Sequence, residues 1–170
     1  MIEMTSNLNL SDVSPLSQET ITDLESKLDH KIPKEYSNFL INYNGAKLKN
    51  KVIKDDLGYT NISELFDYQH LIKNLMNYYD DKNIQKLHML PIASDVFGNL
   101  FCISMDEKRI GLIFFYDHET GCFSKLFNSF SEFINNFISD DTYKVKIMGE
   151  DMEFEKRLEE LRKNSKFKLS

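Results

Sequence analysis

Apolar residues near the start of the chain recur at helical spacing. Ile21, Leu24 and Leu28 lie three and four positions apart behind Ser17, whose hydroxyl suits an N-cap, and predict a helix that breaks at Asp29-His30-Lys31. Ile32-Pro33 restarts the pattern, and Tyr36, Phe39, Leu40 and Tyr43 form the stripe of a second helix. Asn44-Gly45 ends it, since both residues tolerate the left-handed backbone of a C-cap. Residues 1–16 are polar, contain Pro15 and lack periodicity, so a loose leader is expected. From 46 to 59 the chain is lysine-rich around one apolar pair, Val52-Ile53, which predicts a short edge strand in a mobile excursion. Residues 61–79 read as helical, with Ile62, Leu65, Phe66, Leu71, Ile72, Leu75 and Met76 apolar, and 80–83 as a turn.

The period then changes to that of strands. Leu90 to Ser94 is one strand, which Pro91 should confine to an edge or to its first position. Val96-Phe97-Gly98-Asn99 forms a hairpin turn and Leu100 to Ser104 the returning strand. Ile110 to Tyr116 is an apolar run suited to a strand buried on both faces, and Cys122 to Phe127 returns after Thr120-Gly121. Ser129 and Glu132 make a capping box for a helix presenting Phe133, Ile134, Phe137 and Ile138. Helices, then an antiparallel meander, then a closing helix define an α+β domain rather than an alternating α/β one. The expected division is a leader over 1–16, the α+β domain over 17–140, and an extension over 141–170. In that extension Tyr143, Val145 and Ile147 alternate as a strand. Residues 150–163 form a charged helix with a thin stripe of Met152, Leu158 and Leu161, supported by Glu153-Arg157 and Glu159-Lys163 pairs.

With 170 residues, the chain can bury a core without disulfide or metal support. A net charge of -6 argues against a phosphate-binding surface and suits a basic partner, although a mildly acidic balance also serves solubility alone. The opening residues carry neither the basic nor the apolar region of a secretory signal, and no apolar run reaches the ~20 residues of a membrane span. Cys102 and Cys122 lack metal-site spacing and are expected as free thiols in a cytoplasmic protein.

Asp117-His118-Glu119 is the cluster with most catalytic potential, yet adjacent strand residues point to opposite faces, and His30, His70 and His88 sit on separate elements. No phosphate loop, nucleophile elbow or cysteine nucleophile motif is present. No catalytic residue, metal or cofactor is therefore expected. Tyrosines beside polar turns, namely Tyr59, Tyr68, Tyr78 and Tyr79, are better suited to contact a protein, as rigid amphipathic side chains do.

The ordered set Ile32-Pro33-Lys34-Glu35-Tyr36-Ser37-Asn38-Phe39-Leu40, Tyr43-Asn44-Gly45, Leu90-Pro91-Ile92-Ala93-Ser94-Asp95, Gly98-Asn99, Phe101-Cys102-Ile103, Phe115-Tyr116-Asp117-His118-Glu119 and Ser129 to Phe133 resembles the SUKH superfamily. This superfamily is typified by a fungal regulator of cell-wall glucan synthesis. The resemblance covers residues 17 to 138, with two departures: Ala46 stands where a second glycine is common, and Tyr116 where tryptophan is common. It implies helices packed around a curved antiparallel sheet and no catalytic residues. Bacterial relatives act as immunity proteins that neutralise toxins, often nucleases, by stoichiometric binding. The expected contact residues are Tyr59, Tyr68, Asp95, Asn99, Tyr116, Asp117 and Glu119, on an open face and rim of the sheet. A regulatory scaffold for a cellular partner is the alternative, and a ligand- or metal-binding enzyme a third. No direct contact with nucleic acid or membrane is expected, and the oligomeric state, including a weak dimer, is left open.

Overall fold

The structure is a computed structural model that describes residues 4–55, 58–139, 141–144, 146, 149, 152 and 156. Helix α1 (Gln18–Leu28) starts as expected, Ser17 Oγ accepting from Thr20 N–H, and ends at Asp29 in the left-handed region at φ 53°. Helix α2 (Lys34–Tyr43) follows a tight corner, with Pro33 as its N-cap, and Gly45 takes up the positive φ of 83°.

The leader is held to the domain rather than loose. After a 3-10 turn at Met4–Asn7, strand β1 (Leu8–Asn9) pairs with β2 (Lys47–Leu48), and Leu8 is buried in the core. The Asn7 amide donates to the Ile134 carbonyl. Ser14 and Leu16 N–H groups bond Asn44 and Ile41 carbonyls. These distant partners give the segment its order, and its own periodicity carries no trace of them.

Strands β3 (Val52–Asp55), β4 (Gly58–Leu65), β5 (Met89–Asp95), β6 (Leu100–Ser104), β7 (Ile113–Asp117), β8 (Cys122–Phe127) and β9 (Phe137–Ile138) form one antiparallel sheet, ordered β8-β7-β6-β5-β4-β3-β9. Four expectations are corrected here. Residues 61–65 belong to β4, and the helix begins only with α3 (Tyr68–Asp80), where Asp67 accepts from His70 N–H. β3 is not an edge, because β9 pairs outside it; Phe137 and Ile138 leave the closing helix α5 (Phe130–Asn135) to do so. Pro91 sits in the central strand β5, where the register shifts between Pro91 and Ala93 and a bulge removes the need for its N–H. Beyond the sheet, residues 141–144 and 146 are helical where alternation predicts a strand, Ser139 Oγ accepting from Thr142 N–H. Val145, Ile147 and most of 150–163 lie outside the described residues.

Alternate residues of the sheet feed two apolar clusters, as strand geometry requires. Phe101, Ile103 and Ile113 join Ile21, Leu24, Tyr36, Phe39, Phe130 and Phe133 of α1, α2 and α5 in the main core. Cys102, Phe114 and Tyr116 face the other way, onto Ile84 of a short helix α4 (Lys82–Lys86) inside the stretch read as turn and connection. The face expected to be open is covered there.

Candidate protein-binding surface

Sheet register decides which turns share an end. Leu100 lies opposite Ser94 on one side and Tyr116 on the other, so the β5–β6 turn and the β7–β8 turn are neighbours. Ile62 lies opposite Asp95, and Asp55 opposite Gly58, so the β3–β4 arm extends past the same end.

The two turns are tied by one hydrogen-bonded relay. Asp95 Oδ1 accepts from the N–H groups of Phe97 and Asn99, both at 2.8 Å, and its Oδ2 accepts from Asn99 Nδ2 at 2.8 Å. That last bond fixes the Asn99 amide, so its Oδ1 must face the other way. There it accepts from His118 N–H at 3.2 Å and from His118 Nδ1 at 2.9 Å. Gly98, at φ 91°, makes the reversal possible. Asp95 is only 4% exposed; a buried carboxylate is tolerated because three donors satisfy it.

The side chains displayed on this frame are apolar and acidic. Phe97 is 78% exposed and Val96 58% exposed. Asp117 Oδ1 accepts from Glu119 and Thr120 N–H groups, and Glu119 is exposed beside it. The Thr120 hydroxyl, then those N–H groups and His118, hold the Asp117 carboxyl below its ordinary value, which keeps it charged. Helix α4 abuts this end: Asp81 caps it through Asn83 and Ile84 N–H, and Asn83 Nδ2 donates to the Gly121 carbonyl at 3.4 Å. The Tyr116 hydroxyl donates to Asp81 Oδ2 at 2.6 Å. Burial, then that carboxylate, raises the Tyr116 phenol, so it remains a donor. Asp80 and Lys82, both exposed, flank the junction.

Five of the seven expected contact residues, Asp95, Asn99, Tyr116, Asp117 and Glu119, thus meet at one end of the sheet, in different roles. Asp95, Asn99 and Tyr116 hold the frame, while Asp117 and Glu119 carry the displayed charge. Tyr59 lies on the β3–β4 arm beyond the turn, its ring 5.2 Å from that of Tyr143, with Lys54 Nζ 5.9 Å from its centre. Tyr68 opens α3 beyond the other end of β4, its N–H donating to Asn44 Oδ1. The side chains of Tyr78 and Tyr79 lie outside the described part of the structure.

Sequence reasoning missed Val96 and Phe97 as surface features. The available signal was two large apolar residues inside a turn, where neither strand nor helix period gives them a core to enter. It also missed that His30 and His88 come together, ring centres 4.2 Å apart, beside a cleft of about 500 Å³ at the opposite end. Among the described residues no group of three or more His, Cys, Asp or Glu side chains is placed to hold a metal ion. No helix among them is long and apolar enough to cross a membrane.

Helices α1, α2 and α5 against a curled antiparallel sheet, with the β3–β4, β5–β6 and β7–β8 turns at one end, define an α+β domain of SUKH type. More narrowly, the chain belongs to the SMI1 / KNR4 family (SUKH-1), whose pattern matches residues 15–136. It is also similar to the SPbeta prophage-derived uncharacterized protein YokK of Bacillus subtilis (strain 168). That match has 29% identity over 153 aligned residues, covering 73% of this chain and 76% of that protein.

Proposed function

We propose that this chain is a non-catalytic immunity protein of the cytosol, which neutralises a toxin, of the basic nuclease kind, by binding it one to one. The observation that carries this reading is the Asp95–Asn99–His118 relay, which makes two adjacent turns into one pre-formed display of acidic side chains. A surface already ordered before binding loses little conformational freedom in the complex. Family membership and likeness to a prophage-derived protein support the reading. In it Asp117 and Glu119 steer a basic partner, Asp95, Asn99 and Tyr116 hold the surface, and Tyr59 flanks it.

The test is co-expression with a toxin domain encoded beside the gene, scoring growth and the stoichiometry of the purified complex. Growth should be restored and the complex should be equimolar. The double variant Asp117→Lys, Glu119→Lys should associate about tenfold more slowly at low salt, with an unchanged circular dichroism spectrum. Unaltered association would show that binding uses a different face; absence of both rescue and complex with every neighbouring toxin would remove the immunity reading.

A further inference from the structure

We infer that Phe97, with Val96 beside it, is the anchor of this surface, inserted into an apolar pocket of the partner whose rim carries lysine and arginine. This rests on the reading of the chain as a protein-binding module and names the partner's chemistry.

Three observations carry it. The first is exposure: Phe97 at 78% and Val96 at 58% are large apolar side chains adjacent in sequence on one projecting turn. The other large apolar side chains exposed among the described residues, Leu10, Ile110 and Met152, are not part of this turn. The second is rigidity. The backbone N–H groups of Phe97 and Asn99 are held by Asp95, and the turn is tied to its neighbour through Asn99 and His118. An aromatic ring on a fixed backbone has only two side-chain torsions to lose on binding, which favours it as a hot spot. The third is charge. Asp117 and Glu119 stand on the adjoining turn, which His118 ties to this one through Asn99, and Glu119 is exposed. A pocket rimmed by carboxylates would be repelled; one rimmed by basic groups would be steered in.

The experiment selects binders to the immobilised full chain from a phage-displayed library of a small β-sandwich scaffold with randomised loops. Each binder's affinity is then measured against the natural chain, Phe97→Ala, Val96→Ala and Glu119→Lys, at low and high salt. Thermal unfolding checks that each variant keeps its fold, as an exposed substitution should. Most independent binders should lose about 30-fold on Phe97→Ala. They should carry lysine or arginine around apolar loop residues, and should weaken with salt and with Glu119→Lys. Binders indifferent to Phe97→Ala, or no binders at all, would overturn the anchor. Phe97-dependent binders with acidic loops, or without salt dependence, would overturn the basic rim. The growth assay separates this inference from the immunity reading: rescue that survives Phe97→Ala removes the anchor alone, and Phe97-dependent binders without rescue remove immunity alone.

Discussion

Replacing Asp95 tests the frame of the surface directly. Its carboxylate receives three hydrogen bonds at 2.8 Å, two from backbone N–H groups and one from Asn99 Nδ2, and the residue is 4% exposed. A hydrogen bond to a charged acceptor contributes about 1.5–3 kcal/mol, and donors stripped of their partner in a partly buried turn recover some of that from water. The sum is therefore well below three full bonds, and Asp95→Ala should cost about 3 kcal/mol. Asp95→Asn keeps an oxygen for the two backbone donors but loses the charge and sets one amide against another, so about 1.5 kcal/mol is expected. With a urea slope near 2 kcal/mol/M, the midpoints should fall by about 1.5 M and 0.7 M. Amide exchange of Phe97 and Asn99 should accelerate more than that of the core strands, because the opening is local. A loss below about 1 kcal/mol in Asp95→Ala, or equal losses in the two variants, would refute the claim that the carboxylate holds this turn.

Other outcomes follow from neighbouring parts of the molecule. Gly45→Ala should lower stability by about 2 kcal/mol in urea unfolding, because the residue sits at φ 83° and a Cβ would stand 2.8 Å from the Asp12 carbonyl oxygen. Tyr116→Phe removes a 2.6 Å bond to Asp81 while keeping the ring in its cluster, so a loss of about 1.5 kcal/mol is expected by the same measurement. The Asp117 and Asp106 carboxyls are both held below their ordinary values, Asp117 chiefly by the Thr120 hydroxyl and Asp106 by the Lys108 N–H. A depressed folded-state value means stability present above the unfolded value and lost as pH falls through the folded one. Thermal unfolding of the double variant Asp106→Asn, Asp117→Asn should therefore decline less steeply below about pH 4 than that of the natural chain.

How far the sequence could be read depends on the range of the interaction behind each element. Ser17, Gly45 and Ser129 act within four residues of themselves, and the helix ends they predict are the ones observed. Ile62, Leu65 and Phe66 have helical spacing, yet Ile62 pairs with Asp95 and Leu65 with Ala93, and those distant partners override the local pattern. Pro91 shows the same limit, since the bulge that admits it to a central strand is defined only against β6. At the surface, Asp95 is legible in the sequence as a candidate contact but not as a buried one. A charged residue beside a turn reads as exposed until the donors that satisfy its carboxylate are placed in space.

The pairing of β9 with β3 bears on how the protein is made. Val52 and Ile53 find Ile138 and Phe137 as partners across 84 to 86 positions of chain. At ~5–20 residues per second of synthesis, that edge waits on the order of several seconds on the ribosome before its partner emerges. During that interval an apolar strand has one side unpaired, the condition under which nascent chains associate wrongly. Completion of the sheet is then gated by Phe137 and Ile138 rather than by the helices that emerge first. Truncation just before Phe137 should leave a chain that keeps most of its residues and loses its solubility.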